Sequence, residues 1–149
     1  MALRDKPLTV KFVATDGLVW QGEVVSVLVR TTEGDIGIWS GHEPLMAALV
    51  PHGAEVVTPD GVRRIIAIDS GFISVFDNHV SVLSAFGELA EEISLDEARV
   101  QLAAMHDKVQ LAQAAESEVR TYRRLLAQVR AGEKQTELTR RMPGNPPLR

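Results

Sequence analysis

The sequence predicts an all-β sandwich or barrel followed by a C-terminal helical hairpin, or by one extended helix, and three observations carry that expectation. From Leu8 to about Ser84, short β-branched runs are punctuated by Gly, Pro and Asp, the pattern of strands and turns. From Ser94, apolar residues recur at spacings of three and four, the period of a helix. Between Ser94 and Ala131 there is no Gly or Pro to stop one.

The strand region opens with LTVKFVA from Leu8, followed by a turn at Thr15-Asp16-Gly17 and then VVSVLVRT from Val24. AEVVT and VRRIIAI are joined by Pro59-Asp60-Gly61, where Pro presets φ and Gly supplies a positive one, so the pair reads as a hairpin. FISVF and VSVLS follow, joined at Asp77-Asn78-His79; Phe72, Ser74 and Phe76 alternate with Ile73 and Val75, which assigns the two sets to opposite faces. Ser94-Leu95-Asp96-Glu97 fits a capping box and marks a helix start. The apolar seam then runs Leu95, Ala98, Leu102, Met105, Val109, Ala112 and resumes at Val119, Tyr122, Leu126 and Val129. Ala114-Ala115-Glu116-Ser117 is the weakest stretch and the candidate bend; one unbroken helix would be roughly 57 Å long at 1.5 Å per residue. So narrow a stripe needs a cover, from its own second half, the sandwich or another protein. Past Gly132 the seam ends and Met142-Pro143-Gly144-Asn145-Pro146-Pro147 breaks any helix. The expected organisation is a β-sandwich over 1–88, a helical region over 89–132 and a disordered tail over 133–149.

A chain of 149 residues suits one main domain with an appendage and needs no covalent staple to hold a core. It has no cysteine, which excludes thiolate metal sites, disulfides and a Cys nucleophile. Its 16 basic against 20 acidic residues give a net charge of −4, which argues against non-specific binding of nucleic acid. Charges in Met1-Ala2-Leu3-Arg4-Asp5-Lys6-Pro7 replace the apolar core of a signal peptide, and no apolar run approaches a membrane span, so a soluble cytoplasmic chain is expected.

Catalytic signatures are missing. His42, His52, His79 and His106 stand on separate elements without metal-ligand spacing. Ser70-Gly71 is not a nucleophile elbow, no phosphate-binding loop occurs, and Glu91-Glu92 reads as a solvated charge run at a domain junction. No catalytic residue, metal ligand or obligatory cofactor is expected. The densest feature is TEGDIGIWSGHEPL from Thr32, with three glycines among two isoleucines and a Trp. Tight reversals at sheet corners explain the glycines; the interleaved Glu33, Asp35, His42 and Glu43 form a candidate contact loop.

At this stretch the chain resembles the epsilon subunit family of bacterial F-type ATP synthases, whose mitochondrial counterpart is called delta. The family pattern T-x-G-x-x-G-[IV]-x-x-G-H-x-P is matched from Thr32 to Pro44. Val19-Trp20-Gln21-Gly22-Glu23-Val24 and Asp69-Ser70-Gly71-Phe72-Ile73-Ser74-Val75 are similar to two further family segments, with Ser70 in place of a glycine, and the likeness runs from about Leu8 to Ala131. The resemblance implies a non-catalytic rotor subunit on the cytoplasmic face of the cell membrane, touching the membrane only through the complex. Its sandwich would bind the gamma subunit and the c ring, the ring contact falling to Glu33, Asp35, His42 and Glu43. It also implies that basic residues of the second helix, here Arg120, Arg123, Arg124 and Arg130, meet the catalytic beta subunit and inhibit ATP hydrolysis. A solvated helix face explains the same arginines. Leu95-Asp96-Glu97-Ala98-Arg99-Val100 is similar to the family's ATP-contact motif, which implies regulatory ATP at Asp96 and Arg99, with an intrahelical ion pair as the other reading. A stand-alone ATP-sensing module is the alternative function.

Overall fold

The computed structural model of the chain describes residues 6–110 and 115–141. Among them are ten strands: β1 (Leu8–Ala14), β2 (Gly17–Val24), β3 (Ser26–Thr31), β4 (Gly34–Trp39), β5 (Leu45–Leu49), β6 (His52–Val57), β7 (Arg63–Ile68), β8 (Gly71–Phe76), β9 (His79–Ser84) and β10 (Gly87–Leu89). A short 3-10 turn at Ala90–Glu92 leads to α1 (Leu95–Gln110) and α2 (Glu116–Arg141). The β-sandwich with a C-terminal helical hairpin is thus the observed architecture.

The strands follow one hydrogen-bonded path, β10-β7-β6-β3-β5-β8-β9-β1-β2, with β4 added to β3. All pairs are antiparallel except β1 with β9. Strand β3 is the branch point. Its full length pairs with β4, while its other edge is divided, Ser26–Leu28 bonding β6 and Thr31 meeting Leu49 of β5. The sheet therefore folds over itself there, and inward residues of both branches meet in a single cluster that includes Leu8, Val10, Phe12, Val56, Ile66, Ile68, Ile73, Val80 and Val82. Alternation produces this burial. Leu8, Val10 and Phe12 are at most 1% exposed, whereas Thr9 and Lys11 between them face water.

Turn chemistry sets the register. The β6–β7 hairpin closes as expected, with Gly61 at φ +86° and the Thr58 N–H donating to Val62 O at 2.9 Å. Between β8 and β9, Phe76 pairs with His79, leaving a two-residue turn in which Asp77 and Asn78 both take positive φ, 50° and 61°. That left-handed pair matches the twist of the strands it joins. The Asn78 amide braces the next loop, its Oδ1 accepting from the Gly41 N–H at 2.8 Å.

Three expectations need correction. The glycine-rich stretch from Thr32 is not a string of corners, because Gly34–Trp39 runs as the extended strand β4. Gly34 and Gly41 do turn, with φ +120° and +83°, but Gly37 lies mid-strand under the Trp39 indole, where a Cβ would come within 2.5 Å of Cζ3. The second correction is to the tail. Residues 133–141, placed in a disordered segment, continue α2. Gly132 is no stop signal; it is buried because the helix passes close to Leu95, and Lys134 and Leu138 beyond it hold the sandwich. Residues 142–149, with Met142-Pro143-Gly144-Asn145-Pro146-Pro147, and Ala112 and Ala114 of the seam and bend, lie outside the described residues. Third, α2 buries more than a narrow seam. Leu125 and Val129 cluster with Ala98 of α1, while Ala127 and Ala131 cluster with Ile65 and Ala67 of β7, so two opposed faces are covered.

One contact fixes the β8–β9 register especially tightly. A Cβ on Gly71 would overlap the Leu83 carbonyl oxygen and sit 2.8 Å from Ser84 Cα, both backbone atoms that cannot rotate aside. Gly71→Ala is expected to destabilise the fold by roughly 2–4 kcal/mol, read as a lower denaturant midpoint at unchanged slope.

Candidate functional site

The feature of the surface that most needs an explanation is apolar. On β8, Ile73 and Val75 point inward, which turns Phe72 and Phe76 outward, 57% and 67% exposed. Their neighbours across the ladder are also apolar. Ala48 of β5 pairs with Phe72, Phe72 with Leu83 of β9, Leu83 with Val13 of β1, and Val13 with Leu18 of β2, so one apolar row crosses five strands. Met46 sits opposite Ser74, between the two phenylalanines, and is 73% exposed. Leu83 and Leu18 are 58% and 54% exposed. Single exposed leucines are ordinary on a protein surface, but contiguous large apolar side chains mark a docking face. The alternation in FISVF placed Phe72 and Phe76 together; joining them to Met46, Leu83 and Leu18 required strand pairing that the sequence does not spell out.

The four candidate contact residues do not form one loop. Glu33 lies in the β3–β4 turn and Asp35 follows on β4, whereas His42 and Glu43 come after the far end of that strand, roughly 17 Å of extended chain away. Asp35 is held by Arg30, Nε to Oδ1 at 2.9 Å, and this hydrogen bond lowers the carboxyl pKa below its ordinary value. The His42 ring is turned to the Glu43 carbonyl at 2.6 Å. Thus Glu33 and Asp35 stand at one pole of the hairpin, and His42 and Glu43 at the other.

The arginines of α2 are engaged with their own protein. The Arg123 Nε lies 3.8 Å from Oδ1 of buried Asp69, the Arg124 guanidinium covers the Phe86 ring at 4.8 Å, and Arg130 donates to Pro51 O at 2.6 Å. Arg120 pairs with Glu116 one turn back, in water. On α1, Arg99 reaches Glu133 of α2 at 3.7 Å, an interhelical pair where an intrahelical one with Asp96 had been the alternative; Asp96 itself is exposed in the first turn.

A cleft of about 420 Å³ separates α2 from the β3–β4 pole, lined by Arg30, Asp35, His52, Arg130, Glu133 and Lys134. His52 is its buried member, 4% exposed. Its Nε2 accepts the Arg30 N–H at 2.9 Å, and its Nδ1 lies 2.6 Å from Val50 O, which can only accept, so Nδ1 carries the hydrogen. Burial pushes its pKa down to about 4, against the hydrogen bond to Val50, and the cations Lys134 and Arg30 lower it further. Lys134 is lowered too, by burial, while its Nζ donates to Gly53 O at 3.1 Å. The polar atoms of His52 and the Lys134 ammonium have partners within the chain, and no cluster of three His, Asp or Glu placed to hold a metal occurs among the described residues.

Comparison with known proteins identifies the family. The family model described as ATP synthase, Delta/Epsilon chain, beta-sandwich domain matches residues 7–90. The ATP synthase epsilon chain of Cutibacterium acnes is 50% identical over 94 residues, 62% of this chain; the chain spans 64% of that relative's length. The epsilon chain of Rhodococcus opacus is 36% identical over 118 residues, 78% of this chain and 97% of its own length. Among solved structures, a chain of the Euglena gracilis mitochondrial ATP synthase, OSCP/F1/c-ring, superposes with a TM-score of 0.67 at 22% identity, covering 88% of this chain and 81% of its own. A chain of the Tetrahymena thermophila mitochondrial ATP synthase central stalk and c-ring gives 0.54 at 13% identity, over 88% and 97%. Those two likenesses concern the fold alone.

The histidine yields a pH dependence. A folded-state pKa below the unfolded value near 6.5 means that the unfolded chain takes up the proton first, so stability is full above about pH 6.5 and falls as pH drops toward 4. Over that window the loss is expected to be ~3 kcal/mol, less where the fold relaxes. Urea midpoints at pH 7 and pH 4.5 should therefore diverge more for the natural chain than for His52→Gln, which has no proton to bind.

Proposed function

The chain belongs to the ATP synthase delta/epsilon family, and we propose that it serves as the non-catalytic central-stalk subunit of a bacterial proton-translocating ATP synthase, passing rotation between the c ring and the catalytic head. The observation that carries the reading is the apolar row across β5, β8, β9, β1 and β2, flanked by Met46 and Phe76. A monomer has no use for such a face, whereas a rotor subunit must hold a second rotor protein firmly enough to carry torque. The gamma subunit is the occupant we assign to it. Glu33 and Asp35, grouped at the acidic β3–β4 turn, are assigned to the c ring; His42 and Glu43, at the other end of β4, belong to a separate surface. Contact with the membrane is then made only through the ring, in keeping with the absence of a helix long and apolar enough to cross it among the described residues.

The inhibitory contact with the beta subunit is less well supported. Arg123, Arg124 and Arg130 would first have to give up Asp69, Phe86 and Pro51. Regulatory ATP at Asp96 and Arg99 would have to displace Glu133, so stand-alone ATP sensing is not the favoured reading.

Replacing Phe72 and Phe76 by Asp should weaken binding to gamma by about 100-fold or more, since two exposed aromatics at the centre of an interface are its usual hot spots. The thermal midpoint should hold, because neither ring is in the core. Undiminished co-purification with gamma would refute the assignment of this face. Glu33→Lys with Asp35→Lys should lower assembly with the membrane sector, measured by sedimentation with membrane vesicles, while His42→Ala with Glu43→Lys should not.

A further inference from the structure

We propose that Lys134 is a covalent modification site, an amine that takes an acyl group from a small acyl phosphate held in the cleft beside the β3–β4 pole. The cleft, of about 420 Å³, suits a donor the size of acetyl phosphate. It opens to water, since the side chains of Arg30, Asp35 and Glu133 on its walls are each about half exposed. Lys134 itself is held unlike a surface lysine. Its Nζ donates to Gly53 O at 3.1 Å, and among the described residues no carboxylate stands within ion-pair reach of it. The two that act on it from farther off are engaged elsewhere, Glu55 with Arg63 at 3.2 Å and Asp35 with Arg30 at 2.9 Å. Half-buried with one backbone dipole for support, the ammonium has its pKa lowered by burial, and the Arg30 charge lowers it further. The neutral amine keeps one N–H on Gly53 O and has a lone pair left for the cleft.

The walls supply a grip on an anion. Arg30 gives its Nε to Asp35, and Arg130 gives one N–H to Pro51 O, so each retains further donors of its guanidinium fork. Such forks suit a phosphoryl group. The wall carboxylates Asp35 and Glu133 are paired with Arg30 and Arg99, which offsets their repulsion, and Leu28 offers an apolar wall to the acyl chain. With the phosphoryl group on the arginines, the donor's carbonyl shares the cleft with Nζ. The Nζ lone pair then forms the C–N bond of an amide, the bond from the carbonyl carbon to the phosphate oxygen breaks, and phosphate leaves with that electron pair and takes up the proton the amine sheds. His52 is not the base, because Nε2 is occupied by the Arg30 N–H and Nδ1 by Val50 O.

Acetyl phosphate added to the full chain at about pH 8 tests this, with acetylation at each lysine followed by peptide mass spectrometry. Lys134 is expected to react at least about 10-fold faster than the exposed Lys6 and Lys11. Inorganic phosphate should slow Lys134 by about threefold or more and leave the other two unaffected. Equal rates at these lysines, or no protection by phosphate, would overturn the proposal. Arg130→Gln supplies a second arm: it should slow acetylation of Lys134 by acetyl phosphate about fivefold or more, yet leave its reaction with acetic anhydride, a donor without charge, within about twofold. Slowing with both reagents, or with neither, would also overturn the proposal.

Discussion

A strand that gives one edge to a single neighbour and divides the other between two cannot belong to a flat sheet. Strand β3 does this, holding β4 along its whole length and sharing its second edge between β6 and β5. From that branch follow the two layers, the apolar interior between them and two outward faces that must each meet something. The face of β6 and β7 is covered by α2. The face of β5, β8 and β9 is covered by none of the described residues and is apolar in spite of it. The asymmetry between the faces locates both the helical appendage and the docking surface.

The two faces use different chemistry because one is covered from within the chain and the other is not. Under α2 the strands carry Gly53, Ile65 and Ala67, small enough at Gly53 for the helix backbone to settle, and the helix answers with alanines. On the open face the residues are large and flexible, Met46, Phe72, Phe76 and Leu83, the types that supply most area at an interface formed after folding. Neither set is interchangeable with the other. A Phe at Gly53 would expel the helix, and an Ala at Phe72 would leave a partner little to grip.

How far this was legible from the amino-acid sequence depends on the range of the interaction involved. The β6–β7 and β8–β9 hairpins were readable because their determinants are adjacent in the chain, Gly61 in one and the Asp77-Asn78 pair in the other. The start of α1 and the two-part plan were readable for the same reason. Strand β4 was not, because Gly34, Gly37 and Gly41 look alike in sequence, yet only two of them turn; the third is extended in the ladder with Leu28 and leaves room for the Trp39 indole. The run of α2 to Arg141 escaped as well. Gly132 and the lost seam suggested an end, whereas the helix is held past that point by the sandwich, through Lys134 and Leu138. The row Ala48, Phe72, Leu83, Val13, Leu18 brings together residues from five strands, and no local pattern announces it.

The arginines show where composition misleads. A charged helical arm on a near-neutral body reads as a surface waiting for an acidic partner, and the family resemblance strengthens that reading. In the folded chain, however, Arg123, Arg124 and Arg130 meet a buried carboxylate, an aromatic ring and a backbone carbonyl of the sandwich. Guanidinium groups suit all three roles because the planar fork stacks and donates in fixed directions while its stem packs against apolar neighbours. A helix with a thin apolar stripe can therefore be held on its own domain by cations as well as by apolar side chains. Whether such residues act on a partner is decided by what they would have to release, and Asp69, 3% exposed, would be left in the fold without its nearest cation.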